Sequence, residues 1–258
     1  MKKKFSFLFV IGILGLIMTA CGSKENNELK TNGTLTVGME GTYAPYAYRE
    51  NGKLKGFEVD LAKEVAKKMD LKVKFVPTKW DSLIAGLNSG TFDVVFNNMD
   101  ENPDRKKQYS FASPYIYTKS ALITKKDSKL TDAKDIKGKK IGEGIGTDNY
   151  NNAKKLGANI VVSPDFQTTM DMINQGRIVG AINSQEAFLN WRKTHQKTDL
   201  TYHVVPDNVI KTSNIAPMLN KKSPETTKKM SKAIDELRKD GTLKKLSNKY
   251  FDKNITDK

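Results

Sequence analysis

Over residues 34–39 the apolar side chains Leu35, Val37 and Met39 alternate with polar or small ones, the period of a strand. After Gly56 the spacing changes: Val59, Ala62, Val65, Ala66 and Met69 recur every three or four positions, with Asp60 in the first turn, where the helix dipole favours an acid. A strand follows over 71–76, then Leu83, Ile84 and Leu87 mark a short helix stopped near Gly90, and Phe92 to Phe96 reads as a buried strand. The order β, α, β, α, β predicts a largely parallel sheet flanked by helices.

A second run of the same kind begins with a strand over 139–142. It continues with a helix over 149–156, a strand over 159–162, a helix over 166–173, a strand over 178–182 and a helix over 186–192. The tail is helical: Ser223 is placed to cap, Pro224 takes the first helical position, Met230, Ala233, Ile234 and Leu237 share one face, and Gly241 ends it. Thr242 then opens a last turn or two carrying Leu243, Leu246 and Tyr250. The strand-like segments 120–124 and 213–219 link the two runs, which predicts two α/β lobes with a double crossover and a cleft between them. Lobe 1 is expected over 33–122 and 214–258, lobe 2 over 123–213. In open α/β sheets ligands sit outside the carboxyl ends of the strands, where helix N-termini converge.

Ahead of the folded body stands a leader. Lys2, Lys3 and Lys4 precede an uncharged apolar run from Phe5 to Met18, then Thr19 and Ala20, then Cys21, the only cysteine of the chain. The run is too short for a membrane span and has the form of a secretory signal, so residues 1–20 are expected to be removed and the protein exported. A cysteine at the cleavage point resembles the lipobox of bacterial lipoproteins, although Met18 stands where leucine is usual. That resemblance implies a diacylated Cys21 holding the chain at the outer face of the cell membrane, and leaves no thiol for a disulfide. Residues 21–32 are polar without apolar periodicity and are expected to form a flexible tether.

Composition narrows the partners. The 258 residues carry a formal charge of +15, but the lysines are scattered in pairs such as Lys67-Lys68, Lys125-Lys126 and Lys228-Lys229. With no arginine-rich block and no basic stripe with interleaved aromatics, nucleic acid is not expected as a partner; a solvated surface beside an anionic bilayer is, and it leans towards a Gram-positive host. His195 and His203 stand apart from any cluster of metal ligands, and Gly142-x-Gly144-x-Gly146 is not a dinucleotide fingerprint, so no metal or cofactor is expected.

Several phrases fit one pattern. Gly41-Thr42-Tyr43-Ala44-Pro45-Tyr46, Gly56-Phe57-Glu58-Val59-Asp60-Leu61, and Trp80-Asp81-Ser82-Leu83 through Leu87 follow or open the predicted elements. Asp93-Val94-Val95, Asp104-Arg105, Tyr109-Ser110-Phe111-Ala112 and Asp240-Gly241-Thr242 complete the set. Together they resemble the polar-amino-acid substrate-binding proteins of ABC importers, extracellular solute-binding family 3, with the phrases around Tyr43, Trp80 and Asn97 most similar to the cystine-binding branch. The resemblance implies a two-lobe periplasmic-binding-protein-like fold of type II that closes on an amino acid and performs no chemistry. The implied partners are the amino-acid ligand and an ABC permease, and a monomer is expected.

The resemblance also assigns positions. Tyr43 and Trp80 match aromatic residues that flank the ligand side chain, Glu40 an acid near it, and Arg105 the arginine that holds the α-carboxylate. Gly146-Thr147-Asp148 matches the turn that completes the carboxylate site; Asn183 and Ser184 align with the segment that usually ends in an aspartate for the ammonium, and Asn98 joins the set. The chemistry explains these types: a guanidinium makes two parallel bonds to a carboxylate that lysine cannot reproduce, and aromatic faces exclude water. The chain departs from the pattern at Ser184, at Asp100 where a hydroxyl residue is usual, and at Gly144 where some members carry a long side chain. The ammonium acceptor is therefore left open among Asp100, Glu40 and Asp148. The rival from another class is an exported enzyme on the same scaffold, a cyclohexadienyl-type dehydratase using one of these acids.

Overall fold

The computed structural model describes residues 28–258. The expected leader 1–20, the lipidation position Cys21 and the tether as far as residue 27 lie outside the described residues.

The first run forms β1 (Thr34–Met39), β2 (Thr42–Tyr43), β3 (Ala47–Glu50), β4 (Lys53–Lys55), α1 (Phe57–Lys68), β5 (Lys72–Pro77), α2 (Trp80–Asn88), β6 (Val94–Val95), α3 (Pro103–Gln108) and β7 (Tyr109–Phe111). A short strand β8 (Ile116–Thr118) leads to the second run: β9 (Ser120–Lys125), β10 (Lys140–Glu143), α4 (Asp148–Lys155), β11 (Asn159–Val162), α5 (Phe166–Asn174), β12 (Gly180–Ser184), α6 (Gln185–Thr194) and β13 (Leu200–Val204). The chain returns through β14 (Ser213–Ile215) to β15 (Met218–Asn220), α7 (Pro224–Lys239) and α8 (Thr242–Phe251).

Each lobe is built on a five-stranded sheet, in the orders β5-β1-β6-β15-β7 and β11-β10-β12-β9-β13. The parallel strands β5, β1 and β6 and the parallel strands β11, β10 and β12 carry the βα units, while β15 and β9 run antiparallel beside them. The alternation read over 34–39 is not an inside–outside pattern, because β1 is central and buried on both faces. Gly38 faces a second layer, where an added Cβ would lie 2.5 Å from the Phe92 ring.

Two crossing strands, β8 and β14, pair antiparallel with Ser213 opposite Thr118 and Ile215 opposite Ile116. The tail braces them, the Tyr117 N–H donating to the Ile255 carbonyl at 2.8 Å. The expected boundary at residue 123 cuts a strand: β9 pairs along its length with β12 and β13, so residues 120–122 belong to the second sheet and the crossing lies before Ser120. The expected segment 213–219 is likewise two strands, β14 at the crossing and β15 in the first sheet, broken at Ala216-Pro217.

The tether reading fails for residues 28–32. Leu29 is buried against the first lobe, the Lys30 N–H donates to Asp93 at 2.6 Å, and the Glu28 carboxylate accepts from the N–H groups of Glu225 and Thr226 at 3.1 and 2.7 Å. Glu28 thereby does the work expected of Ser223, whose side chain makes no capping bond to α7. A polar stretch without periodicity gave no sign of this, because its anchors lie far along the chain.

Candidate functional site

The carboxyl ends of β1 and β6 face those of β10, β11 and β12 across the cleft. All ten ligand-binding candidates from the sequence line the cavity between them.

On the first lobe, the Glu40 N–H donates to Asn97 Oδ1 and Asn97 Nδ2 donates to Glu40 Oε2, each at 2.8 Å, which locks the end of β1 to the end of β6. Burial holds the Glu40 carboxyl above its usual range, and Asp165 on the far wall adds to this. Behind it Glu58, fully buried at the start of α1, accepts from the Asn98 N–H and the Tyr115 hydroxyl; burial pushes its carboxyl up to about 7. Glu58 Oε2 and Asn98 Oδ1 are both buried with no hydrogen-bond partner. Gly56 permits this arrangement: at φ 130° it brings α1 so close to the Tyr43-bearing loop that a Cβ would lie 2.1 Å from the Tyr46 carbonyl oxygen.

Arg105 is set by its own short helix, where Asn102 accepts its N–H at 2.9 Å and Pro103 takes the first position. Its guanidinium donates to the Asp100 carbonyl and, across the cleft, to the Gly146 carbonyl, each at 3.1 Å, and lies 5.8 Å from the centre of the Trp80 ring. Burial disfavours its charge, which Asp148 and Asp100 offset. Asp100 accepts from the Ser213 hydroxyl at 3.1 Å; burial first and Asp148 second push its carboxyl up to about 7.

The second lobe meets the cavity with helix starts. Thr147 caps α4, accepting from the Tyr150 N–H at 3.0 Å while its hydroxyl donates to the Gly144 carbonyl at 2.8 Å. Asp165 caps α5, accepting from the Thr168 N–H at 2.7 Å, and Ser184 caps α6, accepting from the Ala187 N–H at 3.1 Å. The first N–H groups of α4, at Asp148 and Asn149, have no intrahelical partner and border the cavity.

Direct bonds join the two walls. The Tyr43 hydroxyl donates to Asn183 Oδ1 at 2.6 Å, the Tyr46 and Ser184 hydroxyls are 2.8 Å apart, and Trp80 Nε1 donates to the Ile145 carbonyl at 2.8 Å. Asn102 Nδ2 reaches Asp148 Oδ1 at 3.1 Å. The cleft is closed. Tyr46 and Phe57 pack into the core of the first lobe, both being wholly buried. Sequence reasoning missed the hydroxyl that Tyr46 extends to Ser184, and it missed Asp165 and Phe166, whose ring meets Tyr43 edge-on at 6.0 Å. An acid one residue ahead of a helical run was the available signal for Asp165.

The chain is similar to the L-cystine-binding protein TcyA of Bacillus subtilis, 34% identical over 276 residues that cover 99% of this chain and 100% of TcyA. Among solved structures, an ancestral arginine-binding protein bound to arginine is 32% identical with a TM-score of 0.78, covering 85% of this chain and 98% of its own. The L-cystine solute receptor of Neisseria gonorrhoeae in its unliganded open conformation is 35% identical, covering 90% of this chain and 97% of its own, yet superposes with a TM-score of only 0.62. Higher identity with poorer overlap is what an open and a closed form of one fold give, in keeping with the bonds across the cleft. The shared architecture is the type II periplasmic-binding-protein fold. The model of the bacterial extracellular solute-binding proteins, family 3, matches residues 35–253, and the chain belongs to that family.

Proposed function

We propose that this chain is a receptor that captures an amino acid in its interlobe cleft and delivers it to the permease of an ABC importer. One observation carries the reading: the Arg105 guanidinium of one lobe and the free N–H groups at the start of α4 in the other face a single cavity. That is a carboxylate site completed only by closure. Acceptors for the ammonium stand on the first lobe, at Asn98 Oδ1, which has no protein partner, and at Glu40. Tyr43, Phe166 and Trp80 supply apolar faces for the side chain. The acids Glu40 and Asp165 on opposite walls fit a ligand with a second cationic group, a property shared by cystine and arginine, and the similarity to cystine-binding relatives puts cystine first.

Closure around the ligand is the signal a permease reads. The leader and Cys21 support export and a lipid anchor, for which Cys21→Ser is the test: it is expected to release the protein from the membrane into the medium. The main test is thermal-shift and calorimetric titration with cystine and the standard amino acids. A ligand at a hundred times its Kd is expected to stabilise the fold by about 2.7 kcal/mol; no shift with any of them at millimolar concentration overturns the reading.

A further inference from the structure

The lobes are also joined away from the cleft. Lys193 Nζ lies 2.6 Å from the Asp252 carboxylate, and Lys253 Nζ lies 2.9 Å from that of Glu186. Among the described residues these are the only ion pairs that run from one lobe to the other, and none of the four residues lines the ligand cavity. Glu186 and Lys193 stand seven positions apart on one face of α6, the acid in its first turn and the base in its last, where the helix dipole favours each. Asp252 and Lys253, just past α8, meet them with the opposite signs.

The two partner surfaces are each fixed to their own lobe. The Ser247 hydroxyl donates to the Lys253 carbonyl at 2.7 Å and accepts the Ile255 N–H at 3.0 Å, and Ile255 is buried in the core of the first lobe. Residues 252–255 are therefore a hook of that lobe. On the other side, α6 is capped by Ser184, which borders the cavity, so only Gln185 separates a cavity residue from Glu186. The other cations of this region are engaged elsewhere: Arg192 lies over the rings of Phe188 and Tyr202, and Lys249 pairs with Asp60.

The pairs differ in weight. Lys193 and Asp252 are each at least half exposed, and a pair of that kind contributes little. The Glu186 side chain is only 4% exposed, and besides Lys253 it has the Thr118 hydroxyl alone. An acid so buried that loses its cation keeps the cost of leaving water.

We propose that α6 and the Asp252-Lys253 hook form a clasp that engages as the lobes close and holds the closed form, so that retention of the ligand is set partly from outside the cleft. This rests on the reading of the chain as a receptor that closes on an amino acid. In the open form α6 moves off the hook and Glu186 meets water; closure returns it to Lys253. A contact made only in the closed form enlarges the closed fraction and tightens apparent affinity without touching the ligand.

The test is stopped-flow and calorimetric binding of cystine and arginine to wild type, Lys253→Met and the exposed pair's variants. Lys253→Met keeps the apolar stem and removes the cation, and affinity is expected to fall by about tenfold or more, mainly through faster release. Lys193→Glu sets two acids against each other and is expected to weaken binding about two- to fivefold; adding Asp252→Lys to it should restore most of the loss. Unchanged affinity in Lys253→Met overturns the proposal, because the pairs would then persist in the open form. Should that variant fail to fold, the exposed pair decides, and unchanged affinity in Lys193→Glu overturns it. Ligand binding that ignores all of these variants sinks the clasp and leaves the amino-acid reading standing; absence of binding by every amino acid to wild type sinks both.

Discussion

The two walls of the cleft are made in different ways. The first lobe presents side chains held from behind: Glu40 by Asn97, Asn98 by Glu58, and Arg105 by the cap of its helix. The second presents helix starts whose polar side chains, Thr147, Asp165 and Ser184, are already engaged as caps. On the proposed reading a ligand would meet side-chain donors and acceptors on one wall and mainly backbone N–H groups on the other. The contrast teaches that substitutions on the first wall should change affinity more than stability, and that those on the second should do the reverse.

Arg105→Ala attacks the first wall at its strongest point. Losing a buried charged donor to a carboxylate typically costs about 2–5 kcal/mol, so affinity is expected to fall by about thirtyfold or more, while Tm moves little because the folded-state bonds of Arg105 reach only two carbonyls. Arg105→Lys is expected to rescue little of it, since an ammonium cannot make paired bonds. Calorimetry with thermal melts checks both; a large Tm loss with affinity intact would reverse the assignment of the walls.

Glu58 tests the support behind that wall. Burial lifts its carboxyl from 4.5 to about 7. A folded-state value above the unfolded one gives stability that is complete below about 4.5 and is lost as pH rises towards 7, by up to ~3 kcal/mol at 1.36 kcal/mol per unit. Urea unfolding between pH 4.5 and 7.5 is expected to show this fall in wild type and a fall smaller by that amount in Glu58→Gln. Parallel curves would mean that Glu58 is not the titrating group.

Ser184→Ala strikes the second wall. It removes the cap of α6 and leaves the buried Tyr46 hydroxyl without its partner, together about 1–3 kcal/mol. A Tm lower by several degrees with affinity reduced less than in Arg105→Ala supports the contrast; affinity loss with Tm unchanged breaks it.

The difference between the walls also explains what could be read along the chain. Helical spacing revealed α1, α5 and α7 because each buries one face, and the phrases around Tyr43, Trp80 and Arg105 carry residues that line the cavity. Burial on both faces of β1 was hidden, since Gly38 looks like a polar-side position. Contacts across the cleft were not legible at all: Tyr46 and Ser184 stand 138 residues apart, and no local pattern marks a hydroxyl that crosses between lobes. Glu28 was missed for the same reason, its partners on α7 being 197 and 198 residues away.

The smallest effect is the most discriminating. Asp165 belongs to the second wall by its capping bond, and its charge reaches Glu40 across the cavity, where the proposed ligand would lie. Asparagine caps about as well as aspartate, so Asp165→Asn keeps α5 and removes only the charge. Asp165 is exposed, and an exposed pair contributes about 0.5–1 kcal/mol, so a ligand with a second cationic group should bind about two- to fivefold more weakly. Glutamine or serine, where either binds, should lose less, because neither carries a cationic group beyond its α-ammonium. An equal loss for charged and neutral ligands would put the effect in the lobe and not in recognition. No loss for either would confine Asp165 to its cap, and the second wall would then read nothing of the ligand beyond its carboxylate.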